Sequence, residues 1–270
     1  MTVCEGTGVG FVGAGAMGGS IARGLVGAGV LDVGRLLVAD SDPARLAPFA
    51  ELGARTYPDA ASMLADGPDA VVLAVKPQVL GSVLGSVAPL VDDALVVSIA
   101  AGVSIASIEA ALPGARVVRV MPNLPVQVRS GATAVCAGTH AGEKDVDLVL
   151  SLFSALGAAF VMREDQLDVA GAVSGCAPAF FSLFVDALTR AGVGAGLPAA
   201  CAREMVESTM RGCAEQLLNE GVHPREYMER VTSPGGTTAA ALRALEGPLT
   251  EGTYAAIDAA LARTRELADG

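Results

Sequence analysis

The first half of this 270-residue chain is punctuated by short, unbroken apolar segments, each followed by a stretch of helix formers. They are VGFVG (Val9–Gly13), LLVAD (Leu36–Asp40), AVVLAV (Ala70–Val75), LVVSIAAG (Leu95–Gly102) and RVVRVMPN (Arg116–Asn123). A strand with one wet face alternates apolar and polar residues. An unbroken apolar strand is buried on both faces, which calls for a parallel sheet with helices on either side. Asp42-Pro43 reads as the N-cap and first turn of one such helix. Two further strand signals, GATAVCAG and AAFVM, follow Ser130 with a helix between them. From about Asp165 the strand pattern stops, and GCAPAFFSLFVDALTRAG, LPAACAREMVESTMRGCAEQLLNEG and TYAAIDAALARTRELA all read as helices. The expected organisation is therefore an α/β domain over residues 1–164 and an all-α domain over 165–270.

The first strand runs into Gly13-Ala14-Gly15-Ala16-Met17-Gly18 and then a helix. A lone GxGxxG carries little weight in a chain with 33 glycines. Placed between a strand and a helix that open a βαβ unit, it predicts a Rossmann dinucleotide-binding domain. Gly13 permits the tight turn, Gly15 lets a pyrophosphate approach the backbone, and Gly18 lets helix and strand pack closely. Asp40 closes the second strand, where a carboxylate accepts hydrogen bonds from a ribose 2′-OH and repels a 2′-phosphate. Ser41 follows it with no adjacent Arg, and Arg45 comes one helical turn later. The cofactor expected is NAD(P)H, with Asp40 leaning towards NADH; an ordinary solvated loop carboxylate is the alternative for Asp40.

Composition narrows the partners. The formal charge is −11, and no basic cluster offsets it, which argues against nucleic acid. No apolar run in the sequence approaches the ~18 residues of a membrane span. The opening MTVCEGTG lacks the regions of a signal peptide, so a cytoplasmic location is expected. Five cysteines (Cys4, Cys136, Cys176, Cys201, Cys213) without a CxxC, and two distant histidines, suggest buried free thiols, no disulfide framework and no metal site.

A dinucleotide domain does not name a reaction. The β-hydroxyacid dehydrogenases share this layout and depend on a Lys early in the helical domain. The two lysines here, Lys76 and Lys144, both precede Asp165. Oxidising an alcohol needs a base for its proton, and none is apparent. A protonated imine is already electrophilic and makes no such demand. Ser233-Pro234-Gly235-Gly236-Thr237-Thr238 then gains meaning, because it strips side chains from a loop at the start of the helix TTAAALRALEG. Helix N-termini offer unpaired N–H groups and partial positive charge to a carboxylate. Plain N-capping by Ser233 or Thr237 stays open beside that reading.

The stretches GFVGAGAMG, AVKPQ, VVSIAAGVS, VMPNLP, AVSGCAPAF, LLNEGVHP and VTSPGGTT together resemble the pyrroline-5-carboxylate reductase family, from about Val9 to Leu267. The resemblance implies a helical dimerisation domain after the Rossmann domain, and a homodimer that can assemble further into a decamer. The substrate implied is a small cyclic imino acid, 1-pyrroline-5-carboxylate, reduced to L-proline. By residue it implies that Gly13, Gly15, Ala16, Met17 and Gly18 hold the pyrophosphate. Val75, Lys76, Pro77, Ala100, Ala101 and Gly102 would line the cofactor, with Asp40 and Ser41 at its ribose and Asn123 near the nicotinamide. Gly235, Gly236 and Thr237, after Ser233, would clamp the substrate carboxylate. Thr238 would hydrogen-bond the ring nitrogen, and Glu164 and Cys176 would adjoin the substrate. The residues alone also allow Lys76 to be a solvated strand end and Asn123 a turn residue. The chain departs from the family pattern at Leu124, Cys176, Ala177 and Phe180, where hydroxyl-bearing or smaller residues are usual. Those changes make the expected site more apolar and admit two alternatives: a reductase of a related cyclic imine, or a dinucleotide-binding protein without activity.

Overall fold

The computed structural model describes the backbone of residues 6–269 and the side chains of residues 6–266. Two compact units emerge, one of residues up to Gly175 together with those from Leu261 onward, the other Cys176–Ala260.

In the first unit the chain alternates as its apolar runs demand. β1 (Val9–Val12), α1 (Ala16–Gly27), β2 (Leu36–Ala39), α2 (Pro43–Leu52) and β3 (Arg55–Tyr57) come first. Then follow α3 (Ala60–Leu64), β4 (Ala70–Leu73), α4 (Pro77–Val87), β5 (Leu95–Ser98), α5 (Ile105–Ala111) and β6 (Val117–Met121). β7 (Gly131–Ala137), α6 (Glu143–Ser154), β8 (Gly157–Val161) and α7 (Glu164–Ala170) complete it, with a π-helical turn at Gly171–Gly175. Among the described residues one sheet has the order β3-β2-β1-β4-β5-β6-β7-β8. Every residue of β1, β2, β4 and β5 is buried. Val9 and Phe11 pack with Ile21, Leu25, Phe49 and Phe153 on one face, and Val12 packs with Met63, Leu80 and Ile108 on the other. Gly10 is where Met63 crosses β1, since a Cβ there would lie 2.7 Å from the Met63 methyl.

Three features differ from the sequence pattern. The sheet is not parallel throughout: β6 and β7 pair antiparallel, while β7 and β8 pair parallel. A single 3₁₀ turn at Leu124–Val128 joins β6 to β7, and a parallel return needs a crossover of a dozen or more residues. β3 is an edge strand whose Arg55, Thr56 and Tyr57 lack an apolar signature. The change of sequence pattern near Asp165 and the division of the units at Gly175 also fall at different places. α7 still packs on β6 and β7, with Leu167 fully buried beside Ile105, Ala134 and Cys136.

The second unit is helical: α8 (Ala177–Gly194), α9 (Ala199–Glu220), α10 (Pro224–Arg230) and most of α11 (Thr237–Asp269), which runs on through Pro248. The sequence pattern reads as two helices over the span that α11 covers as one. α8 buries none of its residues and α9 only Ala202, while Phe181, Leu183, Leu188, Met205 and Leu218 stand exposed. The helical stretch Glu164–Gly194 is also long and apolar enough to cross a membrane by length and composition. This corrects the expectation of no such run, because α7, the π-turn and α8 follow one another as one helical stretch, whereas the sequence pattern marks a helix only from Gly175. Cys136 is buried and Cys176 and Cys213 half-buried, but Cys201 is exposed on α9, contrary to the expectation of buried thiols; all four are free. Cys4 and the first residues of the chain lie outside the described residues.

Glycine positions give a test of this packing. Gly157 takes φ +141°, and a Cβ there would sit 2.1 Å from the Gly131 carbonyl oxygen. Gly85, on the exposed side of α4, has open space around it. Gly157→Ala is expected to lower stability by more than ~2 kcal/mol, and Gly85→Ala to raise it by about 0.5–1 kcal/mol. Paired chemical denaturation curves measure both; equal effects would contradict the packing described.

Candidate active site

The strand order reverses on either side of β1, between β2 and β4. At such a switch point the loops leave in opposite directions and open a crevice at the carboxyl ends of the strands. A cleft of about 690 Å3 lies there. Its walls come from the ends of β1 (Val12, Gly13), β2 (Ala39, Asp40, Ser41), β4 (Ala74, Val75, Lys76, Pro77), β5 (Ile99, Ala100, Ala101) and β6 (Met121, Pro122). Gly15, Ala16 and Met17 form its floor at the start of α1.

The glycine loop can take only one shape. Gly13 has φ +104°, and a Cβ on it would meet the Ala74 carbonyl oxygen at 2.7 Å. Its N–H donates to the Ala39 carbonyl at 2.8 Å. A Cβ on Gly18 would meet the Gly13 carbonyl oxygen at 2.3 Å and the Ala74 methyl at 2.6 Å. Gly18 therefore stands behind the cleft and lets α1 seat against β1 and β4. Gly15 is the opposite case: nothing lies within 4 Å of a Cβ built there. It is the N-cap of α1 and provides no side-chain cap, so the first N–H groups of the helix lack an intrahelical partner. The site fits a pyrophosphate by that measure, with open space in front of Gly15 and helix donors aimed into it.

Asp40 is buried at the cleft edge. One carboxylate oxygen accepts from the Ala14 N–H at 2.8 Å, the other from the Asp42 N–H at 2.9 Å. The Arg45 guanidinium stands 3.5 Å away and itself lines the cleft. Asp40 thus fastens the glycine loop to the end of β2 before it meets any ligand. Lys76 is the exposed N-cap of α4, without a carboxylate partner among the described ion pairs. Asp59 and Ala60, with Pro58, form a wall that the sequence reading missed. The signal available was Asp59 three residues before Ser62, an N-cap pattern. The Ser62 N–H indeed donates to Asp59 at 2.7 Å and holds its carboxyl below the usual carboxylate range.

Three expected cofactor residues do not line the cleft: Gly18, Gly102 and Asn123. Gly102, at φ +74°, turns the chain after Ala101. Asn123 is buried and bridges two segments: its Nδ2 donates to the Ser174 carbonyl at 3.1 Å and its Oδ1 accepts from the Ala132 N–H at 2.9 Å. Glu164 accepts from the Ile105 N–H at 2.6 Å and pairs with Arg119 at 3.3 Å.

The remaining expected residues belong to the helical unit. Cys176 is the half-buried N-cap of α8. Ser233, Pro234, Gly235 and Gly236 form a tight turn closed by the Gly236 N–H on the Ser233 carbonyl at 3.0 Å. Gly235 takes φ +70°, and a Cβ on Gly236 would strike Ser233 Oγ at 2.3 Å. Thr237 opens α11, with Thr238 half-buried behind it. Arg225 of α10 pairs with Glu246 of α11, which ties together the helices on either side of the turn. Exposed pairs of this kind contribute at most about 1 kcal/mol, so the turn owes its shape chiefly to the glycines.

Gly15 and Gly18 separate ligand space from packing space. Gly18→Ala is expected to lower the melting temperature and weaken dinucleotide binding together. Gly15→Ala should leave the ligand-free melting temperature within a degree or two and raise the cofactor Kd at least about tenfold, about 1.4 kcal/mol. Calorimetry without ligand and cofactor titration check both; loss of stability in Gly15→Ala would refute this division.

Residues 164–267 match the family described as pyrroline-5-carboxylate reductase dimerisation, and residues 8–102 match that described as NADP oxidoreductase, coenzyme F420-dependent. A mouse protein named pyrroline-5-carboxylate reductase 3 is 39% identical over 269 residues, 98% of either chain. The pyrroline-5-carboxylate reductase of Pisum sativum is 37% identical, covering 96% of this chain and 95% of its own. In structure, the pyrroline-5-carboxylate reductase of Coxiella burnetii superposes with a TM-score of 0.91 at 35% identity, covering 97% of this chain and 98% of that one. The Plasmodium falciparum enzyme, solved with NADP bound, gives 0.86 at 28% identity, covering 98% and 99%. With near-complete coverage from relatives this similar, the chain belongs to the pyrroline-5-carboxylate reductase family.

Proposed function

We propose that this chain reduces 1-pyrroline-5-carboxylate to L-proline with NAD(P)H. The observation that carries the reading is the intact Ser233–Thr238 turn at the head of α11, in a chain that also keeps the switch-point cleft. The relatives named for this activity support it. The dinucleotide supplies a hydride when bound. Gly13 to Met17 and the donors of α1 would hold its pyrophosphate, and Val75–Pro77 with Ala100–Ala101 would line the cofactor further along the cleft. The backbone at Gly235, Gly236 and Thr237 holds the substrate carboxylate at a helix N-terminus. The Thr238 hydroxyl orients the ring nitrogen, which keeps its proton as the imine carbon gains the hydride, so no strong general acid is needed.

The exposed apolar side chains of α8 and α9 support self-association through the helical unit, as a homodimer that can build a decamer. The same pairing would cover the apolar stretch Glu164–Gly194, in keeping with a cytoplasmic enzyme that binds neither membrane nor nucleic acid. Leu124, Cys176 and Phe180 favour one second reading, a related cyclic imine as substrate. Leu124 is 49% exposed next to Asn123, and Cys176 is a weak donor where the family has a serine hydroxyl.

The cofactor reading shifts with the structure. Asp40 favoured NADH when taken as a free ribose acceptor. Its oxygens instead hold Ala14 and Asp42, and Arg45 offsets its charge at the cleft edge. We therefore expect both cofactors to be used, with Arg45 and Ser41 receiving a 2′-phosphate. Arg45→Ala should raise the KM for NADPH about tenfold while NADH changes less than about twofold, since a charge-assisted contact is worth roughly 1.5–3 kcal/mol. Equal effects on the two cofactors would remove Arg45 from that role.

A substrate panel tests the activity. Pyrroline-5-carboxylate should be turned over faster than pyrroline-2-carboxylate or piperideine carboxylates, and no cofactor oxidation with any of them would refute the reductase reading. Thr238→Val keeps the branched shape and removes only the hydroxyl. It should lower kcat/KM roughly ten- to thirtyfold, a lost hydrogen bond of ~1–2 kcal/mol, with cofactor affinity unchanged. Wild-type kinetics with a lowered melting temperature would make Thr238 a helix-capping residue only.

A further inference from the structure

Arg119 lies on β6, its side chain 4% exposed. It shares a strand face with Met121, which lines the cleft, and faces Cys136 across the β6–β7 pair. Its two terminal nitrogens reach α7: one to Glu164 at 3.3 Å, the other to Asp168 at 2.9 Å. Its Nε is buried without a hydrogen-bond partner. A buried guanidinium is stable only where its acids are held in place, and losing one leaves charge uncompensated. The Cys136 thiol beside it adds no charge: burial, and then the negative charge of Glu164, push its pKa up.

Glu164 and Asp168 share Arg119, but their other contacts differ. The Glu164 oxygen that pairs with Arg119 also takes the Ile105 N–H at 2.6 Å. Ile105 is the first residue of α5, and the segment before it carries Ala100 and Ala101, two cleft-lining residues. Glu164 thereby joins two walls of the cleft, the β5–α5 segment through Ile105 and the end of β6 through Arg119. The hydrogen bond recorded for Asp168 holds only the second. We propose that Glu164 is a positioning residue that sets nicotinamide-cofactor affinity by holding the Ala100–Ala101 wall, and that it does not touch the imino acid. The proposal rests on the reading that the cleft holds the dinucleotide.

The test is direct titration of the purified full-length protein with NADPH and NADH, without imino acid, alongside melting curves and a separate steady-state KM for pyrroline-5-carboxylate. Wild type, Glu164→Ala, Glu164→Gln and Asp168→Asn are compared. Glu164→Gln keeps an acceptor for Ile105 and should raise the cofactor Kd about threefold, and Glu164→Ala about tenfold. Asp168→Asn should lower the melting temperature yet leave Kd within twofold. If Glu164→Ala does not fold, the contrast between Glu164→Gln and Asp168→Asn carries the result. The proposal is overturned if both Glu164 variants bind cofactor like wild type, or if Asp168→Asn weakens cofactor binding as much as Glu164→Gln. Wild-type cofactor affinity with a raised KM for the imino acid would make Glu164 a substrate contact. Failure of the wild type itself to bind either dinucleotide would strike the cofactor reading, which separates the two failures.

Discussion

Everything in the cleft depends on how closely α1 seats against β1 and β4 at Gly18. The carbonyl oxygen of Gly13 and the methyl of Ala74 occupy the space that any larger residue at 18 would need. With the helix seated, its first donors point along the switch-point crevice, and Gly15 leaves that crevice open. Asp40 completes the arrangement from the neighbouring strand by accepting the Ala14 N–H. One backbone constraint thus sets the helix axis, the shape of the loop and the position of the cleft floor.

Much of this was legible in the sequence because buried parallel strands announce themselves. Residues of β1, β2, β4 and β5 have no wet face, so their apolar runs are unbroken and their glycine turn stands out. What was hidden has no such signature. β3 is a polar edge strand. The reversal at β7 follows from the shortness of the Leu124–Val128 turn, and an apolar run looks the same in either direction. α11 passes Pro248 without ending, so its two halves read as separate helices. At the site, pattern identified which loops matter but not what each side chain holds. Asp40 reads as a ribose acceptor by position, yet its oxygens face backbone N–H groups. Asn123 and Glu164 read as ligand contacts, and pattern gave no sign of the hydrogen bonds they also make, Asn123 to Ser174 and Ala132 and Glu164 to Ile105 and Arg119.

The helical unit is bare where the first unit is filled. A chain whose α8 buries nothing has a surface that asks for cover, and the family it belongs to is described by dimerisation over these same residues. The Ser233–Thr238 turn sits in that unit. The Gly236 N–H closes the turn on the Ser233 carbonyl, and Gly235 with φ +70° lets the chain enter α11 without a side chain in front of it.

The central claim is that hydride passes from a nicotinamide to the imine carbon of pyrroline-5-carboxylate. It is tested most directly by supplying reduced dinucleotide deuterated at C4 of the nicotinamide and locating the label in the product by NMR. The account predicts proline carrying one deuterium, at C5, from one face of the labelled cofactor only. Cofactor oxidation that leaves proline unlabelled, or label arriving on another carbon, would contradict it.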